Sequence, residues 1–181
     1  SSPIKVADGI IYHAATKDEL AKVVHDFGVA ARKCKLAGCD GVQIHAAHGF
    51  LLTTFLSPHF NKRADEYGGP IENRSRLLFE IYDSVRNAVG VDYPIALKLS
   101  FSNLVSDSST PEEMLWVCKE LEKKGIDFIE VSSGISADNS GASCSPVLRN
   151  GDREGKFLES ALLVSDTLEI PVSSVGCYRS P

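Results

Sequence analysis

The sequence predicts an α/β fold built on a parallel sheet. Short apolar segments alternate with longer segments of helical periodicity, a pattern typical of βαβ units. The predicted strands are largely apolar, as expected when a sheet is covered on both faces, and they span residues 41–46, 94–99, 127–131 and 171–175. Four such strands make half of a (β/α)8 barrel, which needs eight strands and about 250 residues. An open doubly wound sheet is the alternative, although no Gly-x-Gly-x-x-Gly follows any strand.

The first predicted helix begins after Thr16. Thr16 and Glu19 have the spacing of a capping box, and apolar residues recur at helical spacing up to Gly38, which suits a helix end. After the first strand, residues 48–56 predict a short helix. A polar loop over residues 57–69 follows it.

Two longer helices are expected in the middle of the chain. Residues 71–89 predict one continuous helix with an apolar inner face. Thr110, Pro111 and Glu113 form a strong helix start, and Gly125 marks its end. Residues 132–155, rich in Ser, Gly and Asn, predict the longest loop, and a last helix is expected near residues 157–168.

Composition and charge exclude several classes of function. The formal net charge is −5 and the pI is about 5.5, so a nucleic-acid partner is not expected. No apolar run approaches the roughly 18 residues of a membrane helix. The 5 cysteines lack metal-ligand spacing and predict reduced thiols, which favours a cytoplasmic protein.

In parallel α/β folds the functional side chains gather at the carboxyl ends of the strands. Candidate groups at or near these ends are His45, His48, Lys98, residues 132–134, Gly176 and Cys177. Two histidines three residues apart could donate N–H groups to a carbonyl or phenolate oxygen. They could also bind a metal, which would need a third ligand. Glu130 is the one acidic residue near such an end, and the sequence leaves its direction open.

Lys98 and the Gly176–Cys177 segment also have specific interpretations. A cation inside an apolar strand could hold the electron-rich edge of a cofactor, or it could be an edge residue whose ammonium reaches solvent. Backbone N–H groups at Gly176 and Cys177 would suit a phosphate.

One long motif resembles a known family. Residues 41–52 (GVQIHAAHGFLL), followed by residues 55–76 (FLSPHFNKRADEYGGPIENRSR), closely resemble the Old Yellow Enzyme family of FMN-dependent NAD(P)H oxidoreductases. The similarity continues through Lys98, residues 132–134 and residues 175–181, so it covers nearly the whole chain. It implies a (β/α)8 barrel of which this chain holds strands four to seven, as one partial FMN-binding domain over residues 1–181.

The resemblance also implies roles for individual residues. His45 and His48 match the pair that binds the oxygen of an unsaturated carbonyl substrate, and Lys98 stands where the family places a basic residue at the pyrimidine edge of the flavin. Gly176 and Cys177 match the segment at the FMN phosphate. A further set matches a motif that we interpret as structural, tying the loop to the helix: Asn61, Arg63, Asp65, Tyr67, Glu72, Asn73 and Arg74.

The sequence departs from the family at Phe50. The family commonly has a tyrosine there, two residues after the second histidine, which protonates the α-carbon of the substrate. Phenylalanine has no proton to give. Slower reduction, or a shift towards isomerisation or oxidation, is therefore expected.

The chain begins with Ser1 and its only methionine is Met114, so we expect it to be part of a longer protein. The leading prediction for that protein is an ene-reductase that reduces the C=C bond of unsaturated carbonyl compounds with NAD(P)H and FMN. The alternative for this chain is an inactive fragment that cannot hold flavin. A third hypothesis, a metal-dependent hydrolase, rests on His45 and His48 alone. Half a barrel exposes strand edges, which predicts self-association.

Overall fold

The computed structural model describes residues 1–5, 11–135, 144 and 154–179. Most of the loop predicted over residues 132–155 lies outside these residues. None of the helices among them is long and apolar enough to cross a membrane. In chain order the elements are β1 (Ile4–Lys5), β2 (Ile11–Tyr12), α1 (Lys17–Leu36), β3 (Val42–Ala46), α2 (Leu51–Leu56), α3 (Ile71–Arg74), α4 (Arg76–Val89), β4 (Ile95–Ser100), α5 (Pro111–Lys124), β5 (Phe128–Ser132), α6 (Leu158–Ser165) and β6 (Val172–Ser174).

The main sheet has four parallel strands in the order β3-β4-β5-β6. Sequence order and spatial order coincide, as in one half of a (β/α)8 barrel, so the predicted architecture is confirmed. Each strand falls within one or two residues of its predicted position. A small antiparallel pair, β1 with β2, was not predicted from the sequence.

The two faces of the sheet differ in character because side chains alternate along each strand. One face carries apolar side chains that are fully buried under the helices, including Ile44, Leu97 and Val131. The other face carries polar side chains such as Lys98 and Glu130, which are only partly buried. In a closed barrel this second face lines the interior.

The capping signals in the sequence are confirmed. Thr16 caps α1, and its hydroxyl and backbone N–H both bond to Glu19, which completes the capping box. Thr110 and Glu113 form the same arrangement at the start of α5. Gly125 ends α5 in the left-handed conformation, with φ of 89°, a conformation that glycine adopts at low cost.

Two predicted helices need correction. The helix predicted over residues 48–56 begins at Leu51, because His48 and Gly49 have positive φ angles of 62° and 76° that no α-helix contains. The helix predicted over residues 71–89 is interrupted at Ser75, between α3 and α4. The Ser75 hydroxyl donates to the carbonyl of Ile71 at 2.7 Å, a local bond that competes with regular helix geometry.

The loop between α2 and α3 is held by the motif that the sequence assigned a structural role. Asn61 donates to the carbonyls of Phe55 and Tyr67, both at 2.7 Å, and Arg63 makes a two-pronged ion pair with Asp65 at 2.9 and 2.6 Å. Gly68 lies so close to this pair that a Cβ there would stand 2.1 Å from the Arg63 carbonyl oxygen. The structural interpretation is therefore confirmed for Asn61, Arg63 and Asp65.

Arg74 connects this loop to the next helix. Its side chain is 3% exposed and donates to the carbonyls of Leu56 and Gly69, to the Ser109 hydroxyl and to the Glu113 carboxylate. One buried guanidinium thus joins the end of α2, the start of α3 and the N-terminus of α5. Such a group is stable in the interior only while these acceptors remain in place.

Replacing Arg74 with alanine is expected to lower the free energy of unfolding by about 3 kcal/mol, because the partly buried Glu113 carboxylate and the carbonyl partners lose their donor. Urea denaturation followed by circular dichroism measures the change. Arg76→Ala is the matched control, since Arg76 is exposed and its guanidinium donates to the carbonyl of Glu66. Equal losses in the two variants would show that Arg74 has no special structural role.

Candidate functional site

The candidate site lies at the carboxyl edge of the parallel sheet. His45 is near the end of β3, and His48 follows in the loop after it. Their ring centroids are 5.3 Å apart, with an angle of 65° between the ring planes. The Phe50 ring also lies 5.3 Å from the His45 ring and is 57% exposed. The structure therefore brings together the two histidines and the position where the family motif has tyrosine.

Lys98 lies next to the histidines because of the strand register. His45, Lys98 and Glu130 are directly opposite one another on β3, β4 and β5. The Lys98 ammonium donates to one oxygen of Glu130 at 2.6 Å. The other oxygen accepts from the Gln43 amide at 2.9 Å. Lys98 is thus a paired cation on the barrel-lining face, and the direction of Glu130, left open by the sequence, is towards that face.

His48 is bound to the neighbouring strand ends through both its backbone and its ring. Its N–H donates to the Ser100 hydroxyl at 2.9 Å, and Nε2 of its ring lies 2.8 Å from the Ser132 hydroxyl oxygen. Ser100 in turn donates to the carbonyl of Gly134 at 3.2 Å. His48 therefore joins the carboxyl ends of β3, β4 and β5.

Unusual backbone geometry concentrates at this edge of the sheet. Among the described residues, three that are not glycine have positive φ, namely His48 at 62°, Leu104 at 59° and Cys177 at 61°. Each lies in the loop that directly follows β3, β4 or β6. Such conformations cost of order 1 kcal/mol or more and concentrate at functional sites.

The electrostatic surroundings keep both histidines neutral. Burial lowers the pKa of His45 below its ordinary value of 6.5, and the Lys98 ammonium lowers it further, whereas Glu130 acts in the opposite direction. Burial, His45 and Lys98 together lower the pKa of His48 in the same way. At neutral pH each ring therefore carries one N–H donor and one acceptor nitrogen.

Glu130 remains ionised despite its partial burial. Burial raises its pKa, but the hydrogen bonds from Lys98 and Gln43 outweigh that effect and hold the pKa below the ordinary value. The ion pair is consequently intact at neutral pH. Its two charges nearly cancel beside the histidines.

Gly176 and Cys177 lie at the same edge but on its far side. They follow β6, whereas the histidines follow β3, and three strand spacings of about 4.8 Å separate those strands. Gly176 has a φ of 126°, and a Cβ there would approach the Phe157 ring to 2.9 Å. Its carbonyl accepts from the N–H of Lys156 at 3.0 Å. The site residues predicted from the sequence thus share one edge without all being in contact.

No three His, Cys, Asp or Glu side chains gather as a possible metal site within residues 1–5, 11–135, 144 and 154–179. The third ligand that the metal-dependent hydrolase hypothesis requires is not found in that part of the chain.

The sequence did not fully identify three polar side chains of this site. Gln43 and Ser100 were not assigned to the site, and Glu130 was named near a strand end without its direction or its pairing with Lys98. The alternation of DFIEV does place Glu130 opposite in direction to the buried Ile129 and Val131. That signal becomes decisive only once the register with β4 is known, because a shift of one residue reverses every side chain.

This chain is similar in sequence and in structure to known proteins of one family. The sequence profile of the NADH:flavin oxidoreductase / NADH oxidase family matches residues 3–181. An NADH oxidase of Thermoanaerobacter brockii is 36% identical over 168 residues, covering 92% of this chain and 25% of the relative. Enoate reductase 1 of Kluyveromyces lactis is 44% identical over 120 residues, covering 62% of this chain and 29% of the relative.

Among solved structures, an old yellow enzyme homologue from Zymomonas mobilis has a TM-score of 0.72 and 29% identity, covering 98% of this chain and 48% of that one. The chain spans less than a third of the length of these two curated relatives, since it covers 25% and 29% of them.

A double-mutant cycle tests the Lys98–Glu130 pair. Lys98→Met and Glu130→Gln are each expected to destabilise the protein, and the coupling free energy between them should be about 1 kcal/mol, because both side chains are mostly buried. The exposed Lys123–Glu120 pair gives the control cycle, where coupling near zero is expected. Chemical denaturation measures all the variants. Equal coupling in the two cycles would mean that burial adds nothing to the Lys98–Glu130 pair.

Proposed function

The chain belongs to the NADH:flavin oxidoreductase / NADH oxidase family, and we propose that the whole protein is an FMN-dependent NAD(P)H oxidoreductase that reduces the activated C=C bond of unsaturated carbonyl compounds. The observation that carries this proposal is the pair of neutral histidines at the carboxyl edge of the sheet, with ring centroids 5.3 Å apart. The similarity to an enoate reductase supports the same class of substrate.

His45 and His48 would bind the carbonyl oxygen of the substrate. Two N–H donors directed at one oxygen stabilise the negative charge that develops there when hydride reaches the β-carbon. Because the pKa of each ring is lowered, both rings act as donors without carrying a full charge. A partly buried position strengthens these hydrogen bonds relative to those in water.

The residues present fit a flavin on the open face of the sheet. When bound, FMN would accept hydride from NAD(P)H and deliver it to the substrate. Lys98 is held in that face by Glu130 and Gln43, and its position suits contact with the pyrimidine edge of the flavin. The side chain remains 20% exposed, so it can contact a ligand without breaking its ion pair.

Gly176 and Cys177 would supply backbone contacts to the phosphate. Both have positive φ, at 126° and 61°, in the segment that follows β6, and backbone N–H groups in turns can form concavities that bind anions. The close approach of Gly176 to Phe157 leaves no room for a side chain. Position 176 is therefore constrained to bring its backbone, rather than a side chain, to the edge of the sheet.

Phe50 would form an apolar wall beside His45 instead of a proton donor. Its ring is 5.3 Å from the His45 ring and has no exchangeable proton, so the proton for the α-carbon has to come from solvent or another group. Phe50 is 57% exposed, which leaves water access to this side of the site.

Flavin retention is the first test. The chain is expressed with excess FMN, purified and examined by visible absorption, and we expect close to one FMN per chain with enone-dependent oxidation of NADH or NADPH.

His45→Ala and His48→Ala should each reduce enone turnover about 100-fold while FMN remains bound, because each removes one donor from the substrate oxygen.

Lys98→Met should release FMN, whereas Lys119→Met, an exposed substitution on α5, should not. A colourless product from a folded chain would instead support the alternative of an inactive chain that cannot hold flavin.

Light scattering after size exclusion then tests self-association, which remains a prediction based on the outer strands β3 and β6 of the described sheet.

Introducing the missing hydroxyl tests the role assigned to position 50. Phe50→Tyr is expected to raise the rate of enone reduction about 10-fold or more, since a positioned acid contributes at least that much to proton transfer. Stopped-flow oxidation of the reduced flavin by the enone measures the step. Phe79→Tyr, on α4 away from the site, controls for an added hydroxyl. An unchanged rate in Phe50→Tyr would show that protonation at this position does not limit the reaction.

A further inference from the structure

The contact between His48 and Ser132 bears on which ring nitrogen of His48 carries the proton. The Ser132 hydroxyl oxygen lies 2.8 Å from Nε2 of His48, and Ser132 is 0% exposed. The distance alone does not tell which group donates, because a neutral imidazole nitrogen can be donor or acceptor and a hydroxyl can be either.

The hydrogen-bond requirements of the buried hydroxyl decide the direction. Among the residues that the structure describes, the Ser132 hydroxyl has no hydrogen-bond partner other than His48. If Nε2 carried the proton, the serine would accept it and its own O–H would be buried without an acceptor. If Nε2 is unprotonated, the serine donates and its proton is satisfied. A buried donor without an acceptor costs about 1–3 kcal/mol, so the second arrangement is favoured.

We infer that Ser132 is a positioning residue for His48: its hydroxyl donates to Nε2 and thereby holds the ring in the tautomer that carries its proton on Nδ1. The hydrogen bond made at one ring nitrogen sets which nitrogen is protonated, as in other sites that depend on a defined histidine tautomer.

Ser100 supports the same arrangement from the backbone side. Its hydroxyl accepts the His48 N–H at 2.9 Å and donates to the carbonyl of Gly134 at 3.2 Å. These two bonds hold His48 at its positive φ of 62°. The contacts of its backbone and its ring together fix the orientation of the imidazole and favour one tautomer.

The titratable groups around the ring agree with a neutral His48. His45 faces it from β3, Lys98 from β4 and Glu130 from β5, and all three contribute to its electrostatic surroundings. A neutral ring is required, because a protonated imidazole would have no acceptor nitrogen for Ser132.

The inference rests on the proposed function in one respect, the identity of the His48 N–H that would bind the substrate. If His48 binds a carbonyl oxygen, the N–H that it supplies is the one on Nδ1, and Ser132 determines that choice. The tautomer itself is a property of the chain without substrate or flavin, so it can be measured independently of turnover.

The test is magic-angle-spinning NMR of the chain labelled with 15N-histidine, a method that does not depend on the size of the oligomer. The signals of His48 are assigned as those that disappear in His48→Gln. In the wild-type chain at neutral pH we expect a protonated Nδ1 and an unprotonated Nε2. Ser132→Ala should lose this single tautomer, whereas Ser133→Ala, an equally buried neighbour whose hydroxyl accepts from the N–H of Ser102 instead, should keep it.

A protonated Nε2 in the wild-type chain would overturn the inference even if Ser132→Ala did not fold. An unchanged tautomer in folded Ser132→Ala would overturn the role of Ser132. Enone reduction reports separately on the proposed function: a chain with the Nδ1 tautomer but without turnover would retain this inference and lose the proposed function. Turnover by a chain with a protonated Nε2 would support the proposed function and overturn this inference.

Discussion

The register of the parallel sheet is the constraint on which the site depends. Pairing Val42 with Ile95 and Ala96 with Phe128 places His45, Lys98 and Glu130 in one row across three strands. A shift of one residue in any strand would send its polar side chain under the helices and an apolar one to the open face. The cost of burying an unpaired charge there is several kcal/mol. The apolar core and the ion pair therefore favour the same register.

The loops at the carboxyl edge are fixed by buried hydrogen bonds, since regular secondary structure is sparse there. Arg74 holds the ends of the α2–α3 loop against α5, and Asn61 and Arg63 hold its interior. On the other side of the site, Ser100 and His48 join three strand ends. Rigid support of this kind is what allows functional side chains on loops to keep a defined geometry.

Local signals made much of this structure predictable from the sequence. The capping boxes at Thr16 and Thr110 act within one helical turn, and the apolar strands act through alternation, so both could be read without tertiary information. The break at Ser75 and the late start of α2 could not be predicted. The first depends on a side chain bonding to its own helix, and the second on a strained conformation of His48 imposed by Ser100 and Ile135 of other strand ends. The histidine pair and Lys98 were predicted at one edge, but the partners that hold them come from distant parts of the chain.

The electrostatics of the site favour stabilising negative charge on an oxygen over delivering a proton, two tasks that a single residue often combines. The Lys98–Glu130 pair adds almost no net charge, while burial and the proximity of Lys98 keep His45 and His48 neutral. Two neutral rings can polarise a carbonyl oxygen as donors, but protonating both at 5.3 Å would set like charges against each other and against Lys98. The histidines are therefore suited to stabilising charge and poorly suited to delivering a proton. In the proposed reaction, with phenylalanine at position 50, the proton would come from solvent or another group, and Phe50 is 57% exposed, which leaves water access to this side of the site.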